Sequence, residues 1–157
     1  MPNEIINLTM DITQLKAGLL KGTFTCVELV NAYGCRCKEI GRKLNLSTEE
    51  NFAQAFEIAK LRDKEIVEAR KNGTVLPLMH GIPISIKDLI NQKGFLSTIG
   101  CAYLCDEKYR SKDDAAIVKL YLKHGAIPIV RGNCPQSALS IHTDNLIFGE
   151  SKNPIKN

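Results

Sequence analysis

Apolar residues at helical spacing dominate the first part of the chain. They predict three helices, over residues 10–21, 25–44 and 48–71. Thr25 and Glu28 form a capping box that starts the second helix, and Ser47 or Thr48 is expected to cap the third. Asp63 falls on the apolar stripe of the third helix. We expect it to make a structural hydrogen bond or ion pair rather than to act in catalysis, since a buried carboxylate needs a partner.

The pattern changes after residue 73, where proline, glycine and β-branched residues predict strands and loops. A first strand is predicted over residues 82–86, with alternate isoleucines on one face. Lys87 and Asp88 follow its carboxyl end, and their side chains are expected on opposite faces. The later predictions are a helix with a stripe of Ile117, Leu120 and Tyr121, a strand over 127–131, a short helix from Pro135 and a loop from 143. Helices followed by strand, helix, strand and helix indicate an α/β fold with an N-terminal helical layer.

Composition and charge restrict the protein class. The chain has 157 residues, 44% of them apolar and 24% charged, which is typical of one globular domain. The net charge is +4, and the basic residues are interspersed with acidic ones. This pattern argues against a nucleic-acid-binding surface. No signal peptide and no transmembrane-length apolar run is evident. The six cysteines form no Cys-x-x-Cys pair, so they indicate reduced thiols in a cytoplasmic protein.

Candidate chemistry centres on Lys87. A lysine at a strand end can simply extend its amine into solvent, or it can be buried, neutral and basic enough to accept a proton. A dyad with Ser85 is weak, because the two Cβ atoms would lie about 7 Å apart along one strand. A cysteine–histidine pair of Cys101 or Cys134 with His142 stays open. The histidines show no metal-ligand spacing, and no phosphate-binding glycine loop is present.

Three segments, taken together, resemble the amidase signature family, most closely its fatty-acid-amide-hydrolase-like branch. They are LMHGIPISIKD at 78–88, DDAA at 113–116 followed by HGAIP at 124–128, and NCPQS at 133–137 followed by the Asn-Pro turn at 153–154. The resemblance covers nearly the whole chain. It implies part of a mixed-sheet amidase core, and it assigns residues 1–157 to one domain, helical to about residue 73 and α/β from 74 onwards.

The resemblance also implies a mechanism. Family members hydrolyse carboxylic amides through a Ser–Ser–Lys triad without a cofactor or metal, and Lys87 falls on the family lysine. Asn133, Gln136 and Ala138 fall on the segment that lines the acyl pocket in the fatty-acid branch. That branch tends to carry methionine at the position of Ala138, so a backbone contact would survive here and a side-chain contact would not.

The family's glycine- and serine-rich loop, which carries both serines, does not occur in these residues. We therefore expect the N-terminal part of an amidase, inactive by itself, with a small amide as substrate. Lipid amides, a membrane surface in the full protein and a homodimer are all compatible with the resemblance. The alternatives are a non-catalytic binding module and the amidase subunit of a tRNA-dependent amidotransferase. An incomplete sheet would expose the helix stripes and the 82–86 face and so promote aggregation.

Overall fold

The computed structural model describes residues 9–155, so the ends of the predicted domain, 1–8 and 156–157, lie outside the described residues. The α-helices are α1 (Ile12–Lys21), α2 (Cys26–Arg36), α3 (Phe52–Asn72) and α4 (Ala116–Lys123). The strands are β1 (Ser47–Glu50), β2 (Pro83–Lys87) and β3 (Ile127–Gly132). This mixed α/β architecture confirms the predicted fold class.

The three strands form one sheet in the order β1-β3-β2. β1 runs antiparallel to β3, with Ser47 opposite Gly132 and an irregularity before Glu49. β2 lies parallel to β3, because Ile127 N donates to Ile82 O at 2.9 Å and Asp88 N donates to Gly132 O at 2.8 Å. The two apolar strands found from sequence are therefore neighbours, and their carboxyl ends meet at one edge of the sheet.

The prediction that Ser47 or Thr48 caps the third helix is wrong. Both residues lie in β1, and α3 begins at Phe52 after Asn51, whose side chain makes no capping bond. The sequence Ser-Thr-Glu-Glu carries the polar and acidic residues that favour a helix start. Pairing with β3 overrides this local preference, since strand identity is decided by tertiary partners more than by intrinsic propensity.

The chain divides into two compact units, the first comprising the described residues up to 35 together with 51–84 and 120–129. Within it α1 packs against α3, and the two leucines Leu15 and Leu19 of α1 are buried. Asp63 of α3 accepts hydrogen bonds from Cys26 N at 2.7 Å and Val27 N at 3.3 Å. The expected structural role of Asp63 is thus confirmed: its carboxylate caps the amino end of α2, where the helix dipole favours negative charge.

The second unit comprises residues 36–50, 85–119 and the described residues from 130 onwards. Its interior contains an unusual share of polar side chains. Six of the seven buried polar residues in the described part of the chain belong to it: Asp88, Gln92, Thr98, Arg131, Asn133 and Asn145. Buried polar groups require hydrogen-bond partners, so this unit depends on a connected polar network as well as on apolar burial.

Helix α4 presents a different face to the interior than its sequence pattern predicted. Val118 is fully buried, whereas Ile117 is 40% and Leu120 50% exposed. The helix has only eight residues, and over two turns a short apolar run fits more than one helical phase. Gly125, at φ +82°, follows the helix and has the left-handed conformation expected of a helix-ending glycine.

The apolar surface also differs from the expectation. Val30, Ala59, Ile82 and Ile86 are buried, but Val67 of α3 is 45% exposed, so the predicted apolar stripes are covered only in part. Further exposed large apolar side chains lie beyond β3, at Leu139, Ile141, Leu146 and Ile155. Across residues 9–155 no helix combines the length and apolarity that a bilayer crossing requires.

Candidate functional site

Lys87 is the last residue of β2, and its side chain lies on the exposed side of the strand together with Ser85. Its Nζ donates to the backbone carbonyl oxygen of Asn133 at 2.5 Å. The aliphatic stem runs along Gly132, where Lys87 Cδ lies 3.8 Å from the place a Cβ would occupy. The bond holds the amine against the backbone of the segment after β3, while Lys87 as a residue is exposed in the described part of the chain.

Asp88, the next residue, is directed into the unit and is 1% exposed. Thr98 Oγ1 donates to Asp88 Oδ2 at 2.5 Å, and Thr48 Oγ1 donates to Oδ1 at 3.2 Å. Burial raises the pKa of Asp88, and the Thr98 hydroxyl and the Arg131 guanidinium oppose that rise. The partners of this carboxylate lie on the opposite side of the strand from the Lys87 amine, as the alternation predicted.

Arg131 of β3 is equally buried. Its Nη2 donates to Leu96 O and to Ser97 Oγ, each at 3.1 Å, and lies 3.8 Å from Asp88 Oδ1. Its Nε has no hydrogen-bond partner among the described residues. Burial lowers the pKa of Arg131, and Asp88 opposes the shift. Sequence reasoning missed this ion pair, because an arginine in an apolar strand and an aspartate 43 positions earlier carry no local signal of each other.

Asn133 is 3% exposed, and its side chain is directed inward, to partners within the chain. Its Nδ2 lies within bonding distance of three oxygens, Asn45 O at 3.0 Å, Gly149 O at 3.1 Å and Ser151 Oγ at 3.1 Å. Its Oδ1 accepts from Asn145 Nδ2 at 2.8 Å. We call the pair Asn133 and Asn145 the asparagine clasp; it joins the segment after β3 to the loops around residues 45 and 149.

Gln136 and Ala138 lie on a 3₁₀ turn, Gln136–Ala138, and both are exposed. Ser137 and Ala138 each have φ +55°, and Ser137 N donates at 2.8 Å to the carbonyl oxygen of Ile99, which itself has φ +51°. Left-handed dihedrals outside glycine are strained and persist only where the surroundings impose them. The structure thus brings Lys87 and Asn133 together, while Gln136 and Ala138 occupy a separate, strained surface turn.

The cysteine–histidine hypothesis is not supported. His142 Nε2 lies 2.9 Å from Glu150 Oε1, whereas Cys101 Sγ lies 3.4 Å from Ser137 Oγ. Burial raises the pKa of the Cys134 thiol, which disfavours a thiolate nucleophile. In residues 9–155 no three histidine, cysteine or carboxylate side chains lie close enough to hold a metal ion.

Comparison with known proteins identifies the family of the chain. The amidase family model matches residues 28–157. The chain is 32% identical over 148 residues to fatty acid amide hydrolase 1 of Caenorhabditis elegans, which aligns 93% of the chain with 24% of that protein. It is 29% identical over 153 residues to one subunit of the glutamyl-tRNA(Gln) amidotransferase of Koribacter versatilis, covering 96% of the chain and 30% of that protein.

Comparison with solved structures also finds amidases. The native peptide amidase from Stenotrophomonas maltophilia superposes with a TM-score of 0.80 and 25% identity, over 96% of this chain and 31% of that one. Because the family model covers most of its length, the chain belongs to the amidase signature family. It spans about a quarter to a third of the length of these relatives. Lys87 and the asparagine clasp both fall inside the matched region.

Proposed function

We propose that this chain supplies the lysine of an amidase that hydrolyses carboxylic amides, with Lys87 as the proton acceptor of a Ser–Ser–Lys triad. The observation that carries the proposal is the fixed amine: Nζ is bonded to Asn133 O and stays accessible at the end of β2, within the family match. The serines of such a triad lie on a glycine- and serine-rich segment that these 157 residues do not contain. The proposal therefore concerns Lys87 in a polypeptide that carries that segment.

The chemistry assigns Lys87 a proton-transfer role at both ends of the reaction. The nucleophilic serine adds to the amide carbonyl, and its proton passes through the second serine to the neutral amine of Lys87. The resulting ammonium returns the proton to the leaving amine as the carbon–nitrogen bond breaks, and water then hydrolyses the acyl-enzyme. A segment that covers Lys87 would remove water from the amine and so favour its neutral form.

The proposed substrates are small amides, with fatty acid amides as the first class to test, because a fatty acid amide hydrolase is among the relatives. We assign acyl contact to the exposed turn of Gln136 and Ala138, and a supporting role to Asn133, whose side-chain amide is already bonded within the chain. A membrane surface that delivers lipid amides, a cytoplasmic location and a homodimer belong to the same proposal.

A substrate panel tests it. We call a polypeptide that carries this sequence together with a glycine- and serine-rich segment of the family type the joined polypeptide. It is assayed with a long-chain primary fatty amide, a short-chain amide, a peptide carboxyl-terminal amide and glutamine. We expect hydrolysis of the long-chain amide to exceed that of the short-chain amide. A fluorophosphonate should label the joined polypeptide and leave the 157-residue chain unlabelled. Stoichiometric labelling of the 157-residue chain would place the nucleophile within it, for example at Ser85, and refute the proposal.

The second candidate is the amidase subunit of a tRNA-dependent amidotransferase, favoured by the similarity to the Koribacter protein. It predicts turnover of glutamine, with transfer of the released ammonia to a misacylated tRNA when its companion proteins are present, and no hydrolysis of fatty amides. A non-catalytic module predicts no turnover of any substrate in the panel, even when the serine-rich segment is joined to the chain.

A further inference from the structure

We propose that Asn145 is a positioning residue for Lys87, acting through Asn133. The catalytic meaning of this assignment rests on the proposed function, but the positioning itself concerns only residues of this chain. Asn145 lies on the loop that follows the strained turn, 58 positions after Lys87 and 12 after Asn133. Nothing in the local sequence marks it as part of a site.

The first link is the acceptor of the lysine amine. The Lys87 Nζ atom bonds to a backbone carbonyl, that of Asn133, rather than to a side chain. A carbonyl oxygen can hold an ammonium or amine in place only if its own peptide unit is fixed. The position of Nζ therefore depends on whatever immobilises the backbone at Asn133.

The second link is the set of bonds that immobilises Asn133. Its backbone N donates to Leu46 O at 3.0 Å, and its side chain bonds to the loops around residues 45 and 149. Ser151 Oγ accepts from Asn133 Nδ2 at 3.1 Å and donates to Asn45 O at 2.7 Å. Every polar group of Asn133 is thus engaged, which is the arrangement expected of a buried amide with a structural task.

The third link is Asn145 itself, which is 6% exposed. Its Nδ2 donates to the side-chain oxygen Asn133 Oδ1 at 2.8 Å and to the backbone oxygen of Cys134 at 2.9 Å, so it bonds both the side chain of Asn133 and the peptide unit that follows the next residue. Its Oδ1 accepts from Ile147 N at 3.0 Å and Phe148 N at 2.8 Å. The two functions belong to different atoms. Asn145 Oδ1 stabilises the turn over 145–148, and Asn145 Nδ2 holds the segment of Asn133, whose backbone carbonyl accepts the hydrogen bond from Lys87.

This division gives matched variants. Asn145→Ala removes both functions. Asn145→Asp keeps oxygens for the Ile147 and Phe148 amides but loses the donors to Asn133 and Cys134. Ser151→Ala weakens the clasp from its other side. Glu150→Gln is the control, because the side chain of Glu150 is exposed and pairs only with the exposed His142 in the contacts of the described residues.

The measurement is the acetylation of Lys87 by trace acetic anhydride at one fixed pH, relative to the exposed Lys119 of α4 and quantified by mass spectrometry. In the 157-residue chain the bonded Lys87 should react more slowly than Lys119. Asn145→Ala and Asn145→Asp should each raise the ratio of Lys87 acetylation to Lys119 acetylation about fivefold. This is the factor expected when one net hydrogen bond is lost. Ser151→Ala should give a smaller rise, and Glu150→Gln no change. In the joined, active polypeptide the same variants should lower kcat with little effect on KM.

An unchanged ratio in Asn145→Asp overturns the proposal. If Asn145→Ala makes every lysine more reactive, it has unfolded the chain, and Asn145→Asp then decides: a rise confined to Lys87 supports the proposal, and no rise refutes it. The labelling does not depend on amidase activity. A raised ratio without any amide hydrolysis by the joined polypeptide would leave the positioning intact and refute the proposed function alone.

Discussion

Asp88 and Arg131 form a buried ion pair between the carboxyl end of β2 and the neighbouring strand β3, with 3.8 Å between Oδ1 and Nη2 and each residue 1% exposed. Asp88 directly follows Lys87, and Arg131 is two residues before Asn133. The ion pair therefore connects the end of β2 to β3 on their buried side. The hydrogen bond from Lys87 to Asn133 connects the same two segments on their exposed side. A buried polar network and an exposed amine occupy opposite faces of the same two segments.

The first prediction concerns this pair. Asp88→Leu leaves the Arg131 charge buried without its partner, and Arg131→Met does the same to Asp88. Each single variant should lower the free energy of unfolding by about 3–5 kcal/mol, since an uncompensated buried charge is costly. The double variant Asp88→Leu/Arg131→Met should lose less than the sum of the two. Urea unfolding followed by circular dichroism measures all three, and strict additivity would contradict the account.

The second prediction concerns the helix cap made by Asp63. Asp63→Ala leaves the Cys26 and Val27 amides of α2 without their acceptor, so it should cost about 1–2 kcal/mol in urea unfolding. Asp63→Asn keeps one acceptor oxygen and should cost less. Asp113→Ala, at an exposed position, is the control. Equal effects of Asp63→Ala and Asp113→Ala would show that the cap is unimportant.

The third prediction concerns pH. Burial lowers the pKa of His80, while Glu65, with Oε2 3.1 Å from Nε2, opposes the shift. The folded state therefore binds this proton less readily than the unfolded state. Stability from His80 is complete above the unfolded pKa of about 6.5 and is lost as pH falls below it, by at most about 1.4 kcal/mol per pH unit.

Urea unfolding between pH 7.5 and 5 tests this slope. His80→Gln should flatten it, because the titrating group is removed, whatever the variant costs at neutral pH. His124→Gln removes an exposed histidine and should leave the slope unchanged. An unaltered slope in His80→Gln would contradict the assignment, whereas the wild-type slope also contains the opposite contribution of Asp88, whose pKa is raised by burial.

The fourth prediction concerns the apolar side chains beyond β3. Leu139 is 87% exposed, and Ile141 and Leu146 are fully exposed, within eight positions of one another. Clustered apolar surface promotes association. Replacing all three with serine should lower the self-association of the 157-residue chain, measured by light scattering against concentration. The single substitution Val75→Ser, at a residue that is 93% exposed, should have a smaller effect. Equal benefit from both variants would refute a specific patch.

How far the sequence predicts the structure depends on the range of the determining contacts. The alternation of residues 82–86 is local, so the sequence predicts this strand to within one residue of the observed Pro83–Lys87. The Asp63 hydrogen bond was expected because a carboxylate on an apolar stripe needs a partner, although the partner was not named. β1 was missed because Ser47–Glu50 acquires its conformation from β3, about 80 positions away.

The candidate site shows the same limit. Lys87 was located by its motif, but its acceptor is a backbone carbonyl 46 positions later, which no side-chain pattern reveals. The asparagine clasp joins residues of three loops, so it becomes visible only when the topology brings those loops together. The assignment of Asn133, Gln136 and Ala138 to substrate binding stays a prediction.

The central claim is that the Lys87 amine accepts the proton in amide hydrolysis, and a variant that retains its packing tests it most directly. Lys87→Met keeps an unbranched stem over Gly132 and removes the amine, and Lys119→Met, at an exposed position of α4, is the matched control. In the joined polypeptide that carries the serine-rich segment, kcat/KM for a long-chain fatty amide should fall about 10²–10⁴-fold in Lys87→Met and stay unchanged in Lys119→Met. Wild-type kcat/KM in a folded Lys87→Met variant would contradict the claim.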